Sequence, residues 1–152
     1  MKLGGQNLKP EGTTLTKEQA RAIVAPLYDA LNEPTKKDVS ALLAQATNPD
    51  YRSCSTLTDC LDREALAKVF KALGKMVPNL SWKIHDLWVT EDRIVVLGEA
   101  SGMPVETFFG LEPTGRSFTT ISLDVFSVKN GKLSSAYHVE NWAGAIAQVR
   151  GE

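Results

Sequence analysis

The sequence predicts an α+β domain in which a group of helices precedes an antiparallel sheet. Apolar residues recur at helical spacing in the first half, whereas the second half contains runs rich in β-branched and aromatic residues between turn sequences. Helices that come first and strands that come later indicate α+β rather than a parallel α/β fold. With 152 residues, of which 43% are hydrophobic and 23% charged, we expect residues 1–15 to form a flexible leader and residues 16–152 a single domain.

Three helices are predicted in the first half. Thr16 followed by Gln19 is a capping-box pattern, which marks the start of the first helix. A second, shorter helix is predicted to begin at the cap Thr35 and to stop before the sequence "NPD". The third helix follows a loop that contains both cysteines, and it is predicted to end near Gly74.

Four strands are predicted in the second half, arranged as two hairpins. The runs "LSWKIHDLWV" and "RIVVLGEAS" are joined by "TEDR", and they form the first hairpin. The runs "SFTTISLDVFSV" and "KLSSAYHVENW" form the second hairpin around Asn130-Gly131, since Asn-Gly is the strongest short-range hairpin signal. A short helix from about Ala143 closes the chain.

The second hairpin also predicts which side chains share a face of the sheet. With Asn130 and Gly131 as the two loop residues, Lys129 faces Lys132, and strict alternation then places Asp124 opposite Tyr137. One face would carry Ser122, Asp124, Tyr137, Val139 and Asn141, and the other Ile121, Leu123, Val125, His138 and Glu140.

Charge and hydropathy limit the kinds of partner. The net charge is -1 and the basic residues are scattered, so we expect neither nucleic acid nor a membrane surface as a partner. No apolar run approaches the ~20 residues that span a bilayer. Cys54 and Cys60 have too few ligand-type neighbours for a metal site, so they are either reduced thiols of a cytoplasmic protein or a disulfide of an exported one. The sequence therefore does not decide between a cytoplasmic and an exported protein.

The quoted strands and their connections resemble a known family. The stretches "DRIVVLGEASGMP", "FFGLEPTGRSF" and "DVFSVKNGKLSSAYHVENW" are similar to the SnoaL-like polyketide cyclases, also called ester cyclases, of the nuclear transport factor 2-like superfamily. In element order the resemblance extends from Thr16 to Val149. It implies a cone-shaped fold, with the N-terminal helices packed on a curved antiparallel sheet and a pocket at the mouth. It also implies a homodimer formed through the convex face of the sheet.

The resemblance implies a reaction class as well. The founding cyclases close a ring by an intramolecular aldol reaction, with an acid/base side chain and without a metal or an organic cofactor. This chain is thus expected to be a cofactor-independent lyase or isomerase that acts on a small apolar carbonyl compound. The family's aspartate near the end of the last strand corresponds to Asn141 here, and its tryptophan to Tyr137. Two alternatives follow from that departure: a non-catalytic small-molecule-binding module, and a dimerisation domain with a filled cone.

Asp124 is the first candidate for the acid/base group. It interrupts the apolar run "ISLDVF", and burial of a carboxyl group raises its pKa towards the range useful for proton transfer. Tyr137 and Asn141 would hydrogen-bond the developing enolate oxygen. His138 and Glu140 would face the partner subunit, although a β-bulge would reverse the alternation and bring His138 into the pocket as the better base.

Aromatic residues and one histidine are the candidates for substrate contacts. Ligand pockets are largely apolar with a few well-placed polar groups, and the aromatic side chains here lie at strand ends and in the long loop after the first hairpin. The substrate-binding candidates are Trp88, His138, Trp142 and Phe109, and no metal ligand is predicted.

Overall fold

In a computed structural model that describes residues 15–152, this part of the chain forms four α-helices and six strands. The predicted leader falls on residues 1–14, which lie outside the described residues, and on Leu15. The helices are α1 (Lys17–Asp29), α2 (Val39–Ala46), α3 (Arg63–Met76) and α4 (Trp142–Arg150), with a 3-10 turn at Pro34–Lys36. The strands are β1 (Thr47–Cys54), β2 (Cys60–Asp62), β3 (Ser81–Val89), β4 (Arg93–Gly102), β5 (Phe118–Lys129) and β6 (Lys132–Glu140).

The six strands form one mixed sheet in the order β2-β1-β6-β5-β4-β3. The predicted α+β fold is confirmed, and the four predicted strands pair antiparallel, but the whole sheet is mixed because the additional strand β1 runs parallel to β6. Strand β1 was predicted as loop since it contains Pro49 and Asp50, which are turn residues. The structure accommodates them where the register between β1 and β6 is interrupted, between Thr47 and Arg52.

The helices cover one face of the curved sheet, and the core lies between them. The capping box of α1 is confirmed: the Thr16 side chain accepts from the Gln19 backbone, and the Gln19 side chain accepts from the Thr16 backbone. Helix α2 begins at Val39 with Asp38 as its cap rather than at Thr35, because residues 34–36 form the 3-10 turn.

Fully burying one large core side chain, such as Phe126, contributes roughly 1.5–3 kcal/mol to the stability of the fold.

A β-bulge in β6 changes the register of the second hairpin. Val128 pairs with Leu133, but the next pair is Ser127 with Ser135, so Ser134 is an extra residue in β6. The Ser127 hydroxyl lies 2.7 Å from the hydroxyl of Ser134 and 2.5 Å from that of Ser135. One residue of β5 therefore faces two residues of β6.

Beyond the bulge, every pairing in the hairpin is shifted by one residue of β6. Lys129 faces Lys132 as predicted, but Asp124 faces His138, and Tyr137 lies opposite Val125. The prediction that Tyr137 shares a face with Asp124 is therefore wrong, because a shift of one residue moves each side chain of β6 to the other face. His138 and Glu140 lie on the inner face, towards the helices.

The outer face of the sheet carries a group of neighbouring apolar residues. Trp88, Val95, Val125 and Tyr137 form one continuous cross-strand row, because each is paired with the next across the sheet. We call the following residues the outer patch: Trp88, Val95, Leu97, Ile121, Leu123, Val125, Tyr137 and Val139. Of these, Ile121, Tyr137 and Val139 are about half exposed or more.

The two cysteines are joined. Cys54 and Cys60 are opposite each other in the antiparallel pair β1–β2 and form a disulfide, so the two sulfur atoms are bonded rather than present as thiols. Within residues 15–152 no helix combines the length and the hydropathy needed to cross a bilayer.

The disulfide should stabilise the edge of the sheet modestly. Because it closes a short loop with a sequence separation of 6, loop-closure entropy gives about 2 kcal/mol of stabilisation. We expect dithiothreitol to lower the free energy of unfolding in urea by about that amount. A Cys54→Ala/Cys60→Ala double variant is the control, and its unfolding curve should not respond to the reductant. An equal response in both proteins would show that the cysteines are not joined.

Candidate active site

A cavity of about 490 Å³ lies between the helices and the inner face of the sheet. Its walls are mostly apolar, with α1 and α3 on one side and Phe126, Trp82 and Trp142 on the other. The carboxyl and imidazole groups that line it come from neighbouring strands, Asp124 from β5 and His138 with Glu140 from β6. The bulge in β6 is the reason that these three side chains reach one cavity.

Asp124 has one direct hydrogen bond from α1. The Tyr28 hydroxyl donates to Oδ2 of Asp124 at 2.5 Å. Burial raises the pKa of the Asp124 carboxyl group to about 6, while the hydrogen bond from Tyr28 acts in the opposite direction. Glu140 raises this pKa further and His138 lowers it. The carboxyl group therefore changes its protonation state near neutral pH.

His138 is oriented by Glu140. Nδ1 of His138 lies 2.8 Å from Oε2 of Glu140, and the indole N–H of Trp142 donates to Oε1 of Glu140 at 3.2 Å. The hydrogen bond to Glu140 raises the pKa of His138, and burial only partly offsets it. With Nδ1 held in this way, Nε2 is the nitrogen that remains for a ligand, since it has no hydrogen-bond partner among the described residues.

These three residues form a compact cluster. One ligand atom from each of Asp124, His138 and Glu140 can be chosen so that all lie within 4.8 Å of one another, a spacing that would also suit a metal ion. In the structure each group already has a hydrogen-bond partner, from Tyr28, Glu140 and Trp142. A carboxyl group beside an imidazole in an apolar cavity can accept a proton at one atom and donate one at another.

Asn141 lies outside the cavity and caps α4. Its Oδ1 accepts from the Gly144 backbone at 3.0 Å, and its carbonyl oxygen accepts from the Thr120 hydroxyl at 2.7 Å. The prediction that Asn141 and Tyr137 contact a ligand beside Asp124 is therefore corrected: one is the helix cap, and the other lies on the outer patch. Trp88 is also on the outer patch and does not line the cavity.

Phe109 and Trp142 do line the cavity. Phe109 and Gly110 are the central residues of a tight turn closed by hydrogen bonds between Phe108 and Leu111, and both have positive φ. A positive φ is unusual for a residue as large as phenylalanine. The turn places the half-exposed Phe109 ring 5.3 Å from that of Trp142, centroid to centroid, where both border the cavity.

Tyr28, Tyr51 and Trp82 were not predicted as site residues. Tyr28 belongs to the apolar face of α1, so its helical spacing indicated only a core position. Tyr51 lies in the strand that was predicted as loop. Trp82 donates its indole N–H to the Ser122 hydroxyl at 2.9 Å, directly above Gly98, where a Cβ atom would come within 2.6 Å of that hydroxyl. No local sequence pattern indicates this contact, because it depends on three strands.

The four helices on a six-stranded sheet form an α+β cone, the fold of the SnoaL-like proteins of known structure. TsrD from Streptomyces laurentii has 22% identity and a TM-score of 0.76, and the alignment covers 89% of this chain and 97% of TsrD. A candidate SnoaL-like polyketide cyclase from Jannaschia sp. CCS1 has 17% identity and a TM-score of 0.77, with 97% and 99% covered. IdmH from Streptomyces antibioticus, a candidate polyketide cyclase, has 24% identity and a TM-score of 0.74, with 87% and 99% covered. At these identities the likeness shows the fold alone.

The sequence match decides the family. The family model of the SnoaL-like polyketide cyclases matches residues 23–149, so the chain belongs to this family, and the predicted resemblance is confirmed. No curated protein sequence matches the chain.

The raised pKa of Asp124 should appear in the pH dependence of stability. Its pKa is about 6 in the folded protein and 3.8 as the ordinary value. Between pH 3.8 and pH 6 the folded protein therefore binds more protons than the unfolded chain, and its stability falls as the pH rises through this range. At pH 7, Asp124→Asn should raise the free energy of unfolding by on the order of 2 kcal/mol. Removing a pKa difference of two units contributes about 3 kcal/mol, and the weaker hydrogen bond from Tyr28 subtracts part of it. At pH 4 the gain should vanish.

Urea unfolding at a series of pH values measures this difference. His138 has a raised pKa and contributes in the same direction, so the informative quantity is the difference between wild type and variant at each pH. Asp50→Asn, at an exposed position of β1, serves as the matched control. A gain from Asp124→Asn that is equal at pH 4 and pH 7 would contradict the assignment.

Proposed function

We propose that this protein is a cofactor-independent lyase or isomerase of the cyclase type, which moves a proton next to a carbonyl group of a small apolar compound. The observation that supports it best is the pairing of Asp124 with His138 across β5 and β6, inside an apolar cavity. This proposal keeps Asp124 as the acid/base residue, and it replaces Tyr137 and Asn141 by His138 and Glu140.

Asp124 would act as the base. Its ionised carboxylate takes a proton from the carbon next to the carbonyl group, and the electron pair of that C–H bond forms an enolate. His138, protonated and held by Glu140 at Nδ1, donates from Nε2 to the enolate oxygen, where negative charge develops. The hydrogen bond from Tyr28 keeps a share of Asp124 ionised despite its burial.

Asp124 and His138 would also serve either of two reactions that the enolate can undergo. In a ring closure, the enolate carbon attacks a second carbonyl carbon of the same molecule, and the resulting alkoxide takes the proton that Asp124 accepted. In an isomerisation, Asp124 returns the proton to a different carbon. Neither path has a net change in oxidation state or needs a co-reactant.

The cavity supports a small apolar substrate. About 490 Å³ falls within the range of roughly 300–1,000 Å³ that small-molecule sites occupy, and most of its lining is aliphatic or aromatic. A cavity of this size counts against the filled-cone alternative. A non-catalytic binding module would use the same cavity, and it differs in returning its ligand unchanged.

Hydrogen–deuterium exchange of 2-tetralone would test the proton transfer directly. This flat, apolar ketone carries hydrogens next to its carbonyl group, and their replacement in D2O can be followed by proton NMR. We expect the wild type to accelerate exchange, Asp124→Asn to lower the catalysed rate by about 100-fold or more, and His138→Gln by at least about 10-fold.

Two conservative variants serve as controls for this assay. Tyr137→Phe changes the outer patch, and Asn141→Asp retains a good cap for α4, so both should exchange like the wild type. Binding of 2-tetralone without any acceleration of exchange would favour the binding module. Loss of exchange in Tyr137→Phe with normal exchange in Asp124→Asn would contradict the proposed assignment.

We also propose that the outer patch pairs with a second copy of this chain. The half-exposed residues of the patch are contiguous, and a groove of about 280 Å³ on the same face is bordered by Leu123, Tyr137 and Val139. Contiguous apolar surface of this kind marks interaction sites. A twofold pairing of two outer patches would bury it with the same residues on both sides.

Sedimentation equilibrium would test the dimer. The wild type should sediment as a dimer, and a Leu123→Lys/Val139→Lys double variant as a monomer, because two unpaired charges would face the apolar patch of the other copy. Val105→Lys places the same charge at an exposed apolar residue outside the patch, and it should remain dimeric. A wild type that is monomeric at all concentrations would overturn the proposal.

A further inference from the structure

The inner face of β1 carries a second polar group in the cavity, separate from the cluster around Asp124. Tyr51, Ser53 and Ser55 alternate along the chain, so their side chains point to one face, and all three line the cavity. Tyr51 is 1% exposed and Ser53 is 5% exposed. The proton-transfer steps described above use none of these hydroxyl groups.

The Tyr51 and Ser53 hydroxyl groups have few hydrogen-bond partners among the described residues. The Ser53 hydroxyl group lies near enough to that of Tyr51 to lower the pKa of the phenol, and within residues 15–152 neither side chain makes a hydrogen bond to any other group. A buried hydroxyl group can donate one hydrogen bond and accept two, so this pair retains unused capacity. Burial raises the pKa of Tyr51, and the negative charge of Asp124 raises it further, so the phenol stays protonated and can donate.

The position of this pair relative to Asp124 suggests the length of a ligand. Strand β6 lies between β1 and β5, so the backbones that carry the two polar groups are two strand spacings, about 10 Å, apart. Ser53 is paired with Ala136, and Ala136 with Phe126, so a small side chain separates the two polar groups on the cavity wall. A flat ring system can lie across Ala136 and reach both.

The charges that line the cavity limit which ligand group can bind at Tyr51 and Ser53. Among the described residues, no Lys or Arg lines the cavity, whereas Asp124 and Glu140 do. A carboxylate or phosphate at Tyr51 and Ser53 would have no Lys or Arg to pair with, since His138 is already paired with Glu140, and it would share the cavity with two acidic groups. A neutral hydroxyl or carbonyl group is what the two hydroxyl groups can bind.

We infer that the site takes a bifunctional ligand: a flat, two-ring ketone whose carbonyl group lies at Asp124 and His138 and whose far ring carries a neutral oxygen bound by Tyr51 and Ser53. This inference rests on the proposed function for the position of the ketone. It adds a specificity determinant, because a ligand that lacks the far oxygen leaves the two buried hydroxyl groups with only each other.

Calorimetric titration with 2-tetralone and 6-hydroxy-2-tetralone would test the inference. The two ketones differ only by the hydroxyl group on the far ring. One additional net hydrogen bond should make the hydroxylated ketone bind the wild type about 5-fold more tightly. This ratio should fall to about 1 in Tyr51→Phe, and Ser53→Ala should reduce it in the same direction.

The following outcomes keep this test separate from the test of turnover. Affinity for plain 2-tetralone should be the same in Tyr51→Phe and wild type, which shows an intact cavity, and Tyr137→Phe on the outer patch should retain the 5-fold ratio. A ratio near 1 in the wild type, with normal exchange of 2-tetralone, would overturn the inference and leave the proposed function standing. A ratio that survives Tyr51→Phe would also overturn it. Failure of both ketones to bind would overturn both proposals.

Discussion

The extra residue in β6 determines which side chains enter the cavity. Ser127 faces Ser134 and Ser135 together, and from that point every residue of β6 has moved by one position relative to β5. Without the bulge, alternation would turn the histidine and glutamate of β6 outwards and bring Tyr137 and Val139 inwards. The cavity would then contain Asp124 as its one carboxyl group from the hairpin and no imidazole. The bulge therefore gives the inner face its ionisable cluster and the outer face its apolar patch at the same time.

Burial and hydrogen bonding act in opposite directions on the two members of the proposed catalytic pair. Burial favours the neutral form of both, but Tyr28 stabilises the charged form of Asp124, and Glu140 stabilises that of His138. The result is a carboxyl group with a pKa of about 6 beside an imidazole whose pKa is raised. Under the proposed function, a carboxyl group with this pKa would serve as a moderate base, and the raised pKa of His138 would favour the protonated imidazole that donates to the enolate oxygen.

Much of the fold could be predicted from local patterns, because those patterns act over a few residues. The capping box of α1, the Asn130-Gly131 hairpin and the inward position of Asp124 are of this kind. Strand β1 could not be recognised, since Pro49 interrupts it and its pairing with β6 joins distant parts of the chain. The bulge has one local signal: the buried residues Leu133 and Ala136 are three apart, which strict alternation does not allow. This spacing indicates a bulge only when both residues are known to be buried, and their burial follows from the structure.

Asn141 connects the start of α4 to the residues of the proposed acid/base site. As the cap of α4 it fixes the start of the helix at Trp142, and its backbone is tied to β5 through Thr120. The Trp142 indole then donates to Glu140, and Glu140 holds His138. An amide at position 141 can serve as this cap, and it does not have to carry a proton. The groups that can carry one are Asp124, on the neighbouring strand β5, and His138, three residues before Asn141, and under the proposed function these two residues perform the acid/base steps.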